Sequence, residues 1–222
     1  SRVYPIAIET MLKVIKGAPV DICEEHGKVA CALCKKDAKP FSSIALNQLP
    51  SSTVVVVDSL TQLTNSAIAH ITKSQPDDYK LNYDDWANLG KLLDTFLSQV
   101  QQARYNIVCI SHESEVAMED GKKKLVPTAG TTNFSRNTAK YFDEVIYCEI
   151  KNRKHIAASS TLYSGNILTG SRTGSIMETS AEPSLVPIFK GVRSVAASVQ
   201  TPAQTALSSL SKLSALNSLK KA

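Results

Sequence analysis

Residues 53–59 read Thr-Val-Val-Val-Val-Asp-Ser. Four valines in succession disfavour a helix, and with no alternation of apolar and polar positions neither face of a strand is left for water. The run predicts a strand buried on both faces, the pattern of a parallel sheet in an α/β fold. A second run of this type spans Asn106–Ser111 and a third Glu144–Ile150, with an expected hairpin partner at Ile156–Tyr163. Helical patterns lie between and before them. Pro5 opens an apolar-periodic segment closed by Gly17, and another runs from Leu60 to Lys73. In a longer one, expected to be capped by Asp84, Trp86, Leu89, Leu93, Phe96, Leu97 and Val100 fall on one stripe. The order is strand, helices, strand, long polar loop, strand, strand. It predicts a mostly parallel sheet flanked by helices.

The chain has 222 residues, 43% hydrophobic and 20% charged, which suits one α/β domain with appendages. No apolar run approaches the roughly 20 residues of a membrane helix, and no signal-peptide pattern opens the sequence, so a soluble, cytoplasmic protein without a membrane partner is expected. The net charge of +5 favours nucleic acid only where cations cluster, as at Lys122–Lys124 and Lys151–His155. From about Val192 the chain becomes rich in Ala, Ser and Leu, with Leu207, Leu210, Leu213, Leu216 and Leu219 spaced by three. That spacing drifts around a helix. Residues 192–222 therefore read as a weakly helical or poorly ordered tail, or as a segment that docks on a partner, outside a core over 1–191.

Three of the five cysteines crowd around a histidine as Cys23-x2-His26-x4-Cys31-x2-Cys34 in the lysine-rich segment 21–40. Three thiolates and an imidazole in two closely spaced pairs suit a tetrahedral Zn²⁺ with no position left for water, a structural site. Free reduced thiols in a loop are the alternative. Cys109 and Cys148 lie in the strand-like runs as small hydrophobes, so a disulfide framework is not expected. The usage fits a reducing compartment.

Three further motifs bear on chemistry. Asp58 closes the first apolar run and Ser59 follows it, as in a Walker B motif, where the carboxylate holds Mg²⁺. Plain strand ends look the same. Val108-Cys-Ile-Ser-His-Glu113 brings His112 out at the same sheet edge as Asp58 if the two strands run parallel; a surface histidine ending a strand is the simpler alternative. Lys151-Asn152-Arg153 ends the third run before a hairpin, a pattern that also fits a solvated basic turn.

With Thr-Val-Val-Val-Val-Asp-Ser-Leu-Thr-Gln-Leu, Ile-Ser-His-Glu and Tyr-Phe-Asp-Glu-Val-Ile (141–146), the chain resembles phage RecA-like AAA-class nucleotide-binding proteins over about Pro5–Met177. These are relatives of phage single-strand-annealing recombinases. The resemblance implies a RecA-like fold and a nucleic-acid-dependent ATPase of DNA recombination or replication. ATP, Mg²⁺ and single-stranded DNA would be its ligands, and a ring or filament of identical subunits its assembly. It also implies roles for single residues: Asp58 and Ser59 at the nucleotide and Mg²⁺, His112 sensing the terminal phosphate, and Lys151 and Arg153 reaching a neighbouring subunit's γ-phosphate. By residue type alone, Lys122, Lys123, Lys124, Phe134 and Arg136, in the segment after His112, suit a single-strand-binding loop through phosphate contact and base stacking, and a solvated hairpin loop explains the lysines equally well.

One departure is large. No Gly-x-x-x-x-Gly-Lys-[Ser/Thr] occurs, since Gly27-Lys28, Gly90-Lys91 and Gly121-Lys122 are never followed by Ser or Thr. The phosphate-binding loop and a strand bearing the catalytic base are expected upstream of Ser1, so that this chain alone is inactive. The rival readings are a non-hydrolysing, zinc-stapled module that binds DNA or a subunit, and an adaptor working through the Leu-rich tail.

Overall fold

The computed structural model describes residues 4–159, 163–173, 184–186, 188 and 189. The tail at 192–222 and the end of the resembling segment at Met177 lie outside them. The chain divides into two units, residues 1–145 with 164–168, and 146–163 with 169–222.

The first unit opens with α1 (Tyr4–Ile15). Gly17 stops the helix at φ +83°, where an added Cβ would come within 2.7 Å of the Asn47 amide nitrogen. The cysteine-rich segment follows as β1 (Val20–Cys23), α2 (Ala32–Lys36) and β2 (Phe41–Ile44), with β1 and β2 antiparallel. Next come β3 (Val54–Asp58), α3 (Leu60–Ile71), α4 (Tyr83–Gln101) and β4 (Asn106–Ile110). As expected, β3 and β4 pair in parallel, Val54 opposite Asn106 and Asp58 opposite Ile110. The helical connection permits this: a parallel partner needs a long crossover, and α3 and α4 supply it.

The sheet is less extensive than the sequence led one to expect. Among the described strand pairings within each unit, β3–β4 is parallel, Leu125 and Ile167 add a single parallel bridge, and β1–β2, β5–β6 and β8–β9 are antiparallel hairpins. The valine run is buried on one face only. Val57 joins the core with Ile107 and Cys109, whereas Val54 and Val56 are 41% and 58% exposed. The reason is that α1, α3 and α4 supply their apolar stripes to the same side.

That core holds Ile8 of α1, Leu60, Leu63 and Ala67 of α3, and Leu89, Leu93, Phe96 and Leu97 of α4. Burying each large side chain contributes about 1.5–3 kcal/mol. The stripe on α4 matches the sequence pattern except at Trp86, which is 40% exposed. Its cap is Asn82 rather than Asp84. Asn82 Oδ1 accepts the Asp85 N–H at 3.0 Å and the Asp85 carboxylate accepts the Asn82 N–H at 2.9 Å, a reciprocal capping box.

The polar segment after β4 is not a loop. It folds as β5 (Glu113–Ala117) and β6 (Lys123–Pro127), an antiparallel hairpin turning at Gly121, then α5 (Thr132–Asn137) and a short β7 (Glu144–Val145). Charged residues on its exposed face hid the strand pattern. Gly130, at φ +62°, sits where a Cβ would lie 2.7 Å from Leu93 Cδ1, so the chain passes tightly over α4 before α5 begins.

The second unit contains β8 (Tyr147–Lys151) and β9 (Lys154–Ala158), a two-residue hairpin, and a short β10 (Gly170–Ser171). The partner strand therefore starts earlier than the expected Ile156. Asn152 and Arg153 form the turn at φ +51° and +63°, the left-handed pair that matches the twist of a tight hairpin.

Candidate functional site

Because β3 and β4 are parallel and in register, Asp58 and Ile110 end side by side, and His112 follows two residues beyond. Asp58 and His112 are both exposed at this carboxyl edge, where ligands of open α/β sheets collect. Ser59 is buried, its peptide bond to Asp58 is cis, and its hydroxyl accepts the Gln62 N–H at 3.3 Å as the N-cap of α3. Ser59 thus serves as a helix cap, its oxygen facing the first turn of α3.

A set of hydroxyls that the sequence reading missed fixes this edge. Thr61 Oγ1 accepts the His112 N–H at 3.1 Å and lies 3.3 Å from the Thr128 carbonyl. Ser111 Oγ donates to the same carbonyl at 2.9 Å, and the Thr128 N–H donates to the His112 carbonyl at 2.8 Å. One helical turn on, Thr64 Oγ1 accepts the Gly130 N–H at 3.0 Å. The first turn of α3, the end of β4 and the strand leaving β6 are thereby tied together around His112. The available signal was Asp-Ser-Leu-Thr, a hydroxyl three residues beyond the carboxylate.

The expected strand-binding set is not brought together as a loop. Lys122 and Lys123 are exposed on the β5–β6 hairpin and paired, Lys122 with Asp120 at 3.4 Å and Lys123 with Glu115 at 2.7 Å, while Lys124 is half-buried. The Lys122 N–H and side chain hold the Asp120 carboxyl below its usual range, and the Glu115 hydrogen bond and charge hold Lys123 above its own. Phe134 and Arg136 sit on α5. Phe134 is half-buried, packs against the core and stacks on Tyr141 with ring centres 6.2 Å apart. The Arg136 Nε is buried without a hydrogen-bond partner.

In the second unit, Lys151 closes β8 with its ammonium 5.7 Å from the centre of the Tyr163 ring, whose hydroxyl donates to Glu149. Arg153 is exposed at the turn.

The other cluster lies in the first unit. The ligand atoms of Cys23, His26, Cys31 and Cys34 all lie within 4.8 Å of one another. His26 Nδ1 is 3.1 Å from Cys34 Sγ and 3.8 Å from Cys31 Sγ, and the Lys28 N–H points at Cys23 Sγ from 3.4 Å. Burial and the other two sulfurs push the Cys34 thiol up; burial also pushes Cys23 up, but hydrogen bonds from the Lys28 and His26 N–H groups and from the Cys34 and Cys31 thiols together hold it below the usual thiol value. This set can hold a metal ion such as zinc.

A family model described as an AAA domain matches residues 4–187. Comparison with curated proteins and with solved structures gave no match.

Proposed function

The chain belongs to the AAA domain family, a family of nucleotide-binding ATPases, and on that premise we propose that the edge bearing Asp58 and His112 is its nucleotide-hydrolysis site. The observation that carries the reading is the parallel, in-register pairing of β3 with β4, which brings out both side chains at one sheet edge. Asp58, exposed and acceptor-only when ionised, would hold Mg²⁺, which neutralises charge on the terminal phosphates. His112 faces the same edge with a fixed backbone and an imidazole free to meet the γ-phosphate. In hydrolysis the oxygen of water would bond to the γ-phosphorus as the bond from that phosphorus to the β,γ-bridging oxygen breaks, so that ADP leaves, the phosphoryl group becomes inorganic phosphate and the water's proton passes to solvent.

The finer reading is a RecA-like motor that depends on single-stranded DNA and serves phage recombination or replication as a ring or filament. Its support is the sequence resemblance together with the basic turn at Lys151 and Arg153, which offers a neighbouring subunit's nucleotide a fork of donors. The phosphate cradle is not within these 222 residues, which lack Gly-x-x-x-x-Gly-Lys-[Ser/Thr]. A segment outside them supplies it in this reading.

The same absence favours a second reading, a non-hydrolysing module that holds DNA or a subunit. Fusing the chain to the segment encoded upstream of it and measuring ATP hydrolysis with and without single-stranded DNA separates the two. DNA-stimulated turnover lost in Asp58→Asn supports the motor. An upstream frame with no phosphate-binding motif, and a fusion that binds DNA with no turnover, sinks it.

A further inference from the structure

Residues 20–44 have almost no apolar core of their own. The buried cluster in this segment consists of Cys23, Cys31 and Cys34, with Phe41 packed against it. Cys23 and Cys34 are 0% and 1% exposed, yet none of the three sulfurs is in a disulfide. With Phe41 on the cysteines and Val20, Ile22 and Val29 on a small neighbouring cluster, a hairpin of two four-residue strands and a helix of five residues buries little apolar surface against a backbone entropy of about 1–2 kcal/mol per ordered residue.

The backbone nonetheless converges on the four ligands. Gly27 N–H donates to the Cys23 carbonyl at 2.9 Å, and Cys23 N–H to the Lys28 carbonyl at 3.1 Å, so the turn after β1 carries Cys23 and His26 on one side. Cys31 precedes α2 and Cys34 lies within it, and Lys39 N–H returns to the Cys34 carbonyl at 2.9 Å. Phe41 then pairs with Cys23 across the β1–β2 ladder. Tetrahedral zinc at its usual bond lengths needs ligand atoms about 3.5–3.8 Å apart. His26 Nδ1 stands 3.1 and 3.8 Å from two of the sulfurs, which bracket that range.

We infer that residues 20–44 form a metal-dependent folding unit whose core is one Zn²⁺ held by Cys23, His26, Cys31 and Cys34. The site is structural: four protein ligands complete the tetrahedron and leave no position for a substrate or an activated water. Its place in the unit agrees. β1 and the turn after β2 contribute Val20 and Leu46 to a small cluster with Val14, against which Val55 near the start of β3 and Tyr105 just before β4 pack. The segment is thus anchored at the amino ends of the two strands, whereas Asp58 and His112 leave the carboxyl ends. The larger core around Phe96 draws on no residue of 20–44. Removing the ion should therefore melt this segment and leave the α3–α4 core folded.

The 222-residue chain, purified under reducing conditions, is expected to carry about one zinc per polypeptide by metal analysis. Replacement by Co²⁺ is expected to give thiolate charge-transfer absorption and the intense visible bands of a four-coordinate ion. By hydrogen exchange, a strong chelator should abolish protection at the amides of Ile22, Cys23 and Lys39, with that of Leu93 and Phe96 retained. His26→Cys should keep the metal with stronger charge-transfer absorption, and Cys34→Ser should lose it. Metal-free protein with unaltered protection, or a six-coordinate Co²⁺ spectrum, overturns the site. Full zinc content in Cys34→Ser overturns the ligand set. Zinc that a chelator removes without loss of protection at Cys23 overturns the folding role.

Discussion

The backbone N–H of His112 ends on the hydroxyl of Thr61, 3.1 Å away, so the residue that follows β4 is held by the first turn of the helix that follows Asp58. Asp58 and His112 are therefore not two independent strand ends: any shift of α3 at its start moves both. In the fusion that supplies a phosphate-binding segment, Thr61→Val should lower kcat by about tenfold, the equivalent of 1.4 kcal/mol in the transition state. KM should change little, because the hydroxyl positions His112 and does not touch substrate. Thr61→Ser keeps the oxygen and should restore turnover. Equal loss in both variants would reduce the contact to packing.

Asp58 is exposed, so Asp58→Asn should leave the melting temperature close to that of the parent. Its effect on Mg²⁺-dependent hydrolysis should be on the order of 10²-fold or more, because a neutral amide is a poor ligand for a hard cation. Steady-state hydrolysis across a Mg²⁺ titration reads this out. Unchanged turnover would remove Asp58 from the site.

At the start of α4, Asn82→Ala should cost about 1 kcal/mol, the usual value of an N-cap. Asp85 adds a pH dependence. The Tyr79 hydroxyl, donating at 2.6 Å, and the Asn82 N–H hold its carboxyl below the ordinary value. A carboxyl lowered on folding stabilises the native state fully above its unfolded pKa, about 4. That contribution fades as pH falls through the folded value. Melts of the chain and of Asp85→Asn should accordingly differ at neutral pH and converge in acid. A difference that grows below pH 4 contradicts the assignment.

Much of this architecture could be read from side-chain pattern alone, and the failures share a cause. The valine run, the α4 stripe and the Cys-x2-His-x4-Cys-x2-Cys spacing are local signals, each complete within a few turns of chain, and each produced the expected element or cluster. What covers a strand is not local. Nothing in Val54 and Val56 distinguishes them from Val57, and only the side on which α3 and α4 pack leaves the first two exposed. The β5–β6 hairpin was hidden because its outer face carries Glu113, Glu115 and Lys123, which mimic a loop. That α5 would stack Phe134 on Tyr141 was likewise not legible, since the two residues meet only once the segment is folded.

Arg153 offers the strictest test of the proposed assembly, because a finger acting in trans makes a demand that a solvated turn does not. It occupies a left-handed turn position at φ +63°. Alanine carries the same Cβ penalty there as arginine, so Arg153→Ala changes the charge and not the backbone cost. In the fusion with a phosphate-binding segment, this variant should depress turnover on the order of 10³-fold and ATP affinity far less, since the lost charge acts mainly in the transition state. Lys151→Ala should act more mildly, an ammonium being a point charge where a guanidinium is a fork. Mixing Arg153→Ala with Asp58→Asn protein then separates the subunits' contributions. In a mixed oligomer an intact Asp58 edge can sit beside an intact Arg153 from its neighbour, and activity should partly return. If the two variants assemble together and mixing restores nothing, or if Arg153→Ala hydrolyses ATP at the parental rate, the turn between β8 and β9 does not reach a neighbour's phosphate.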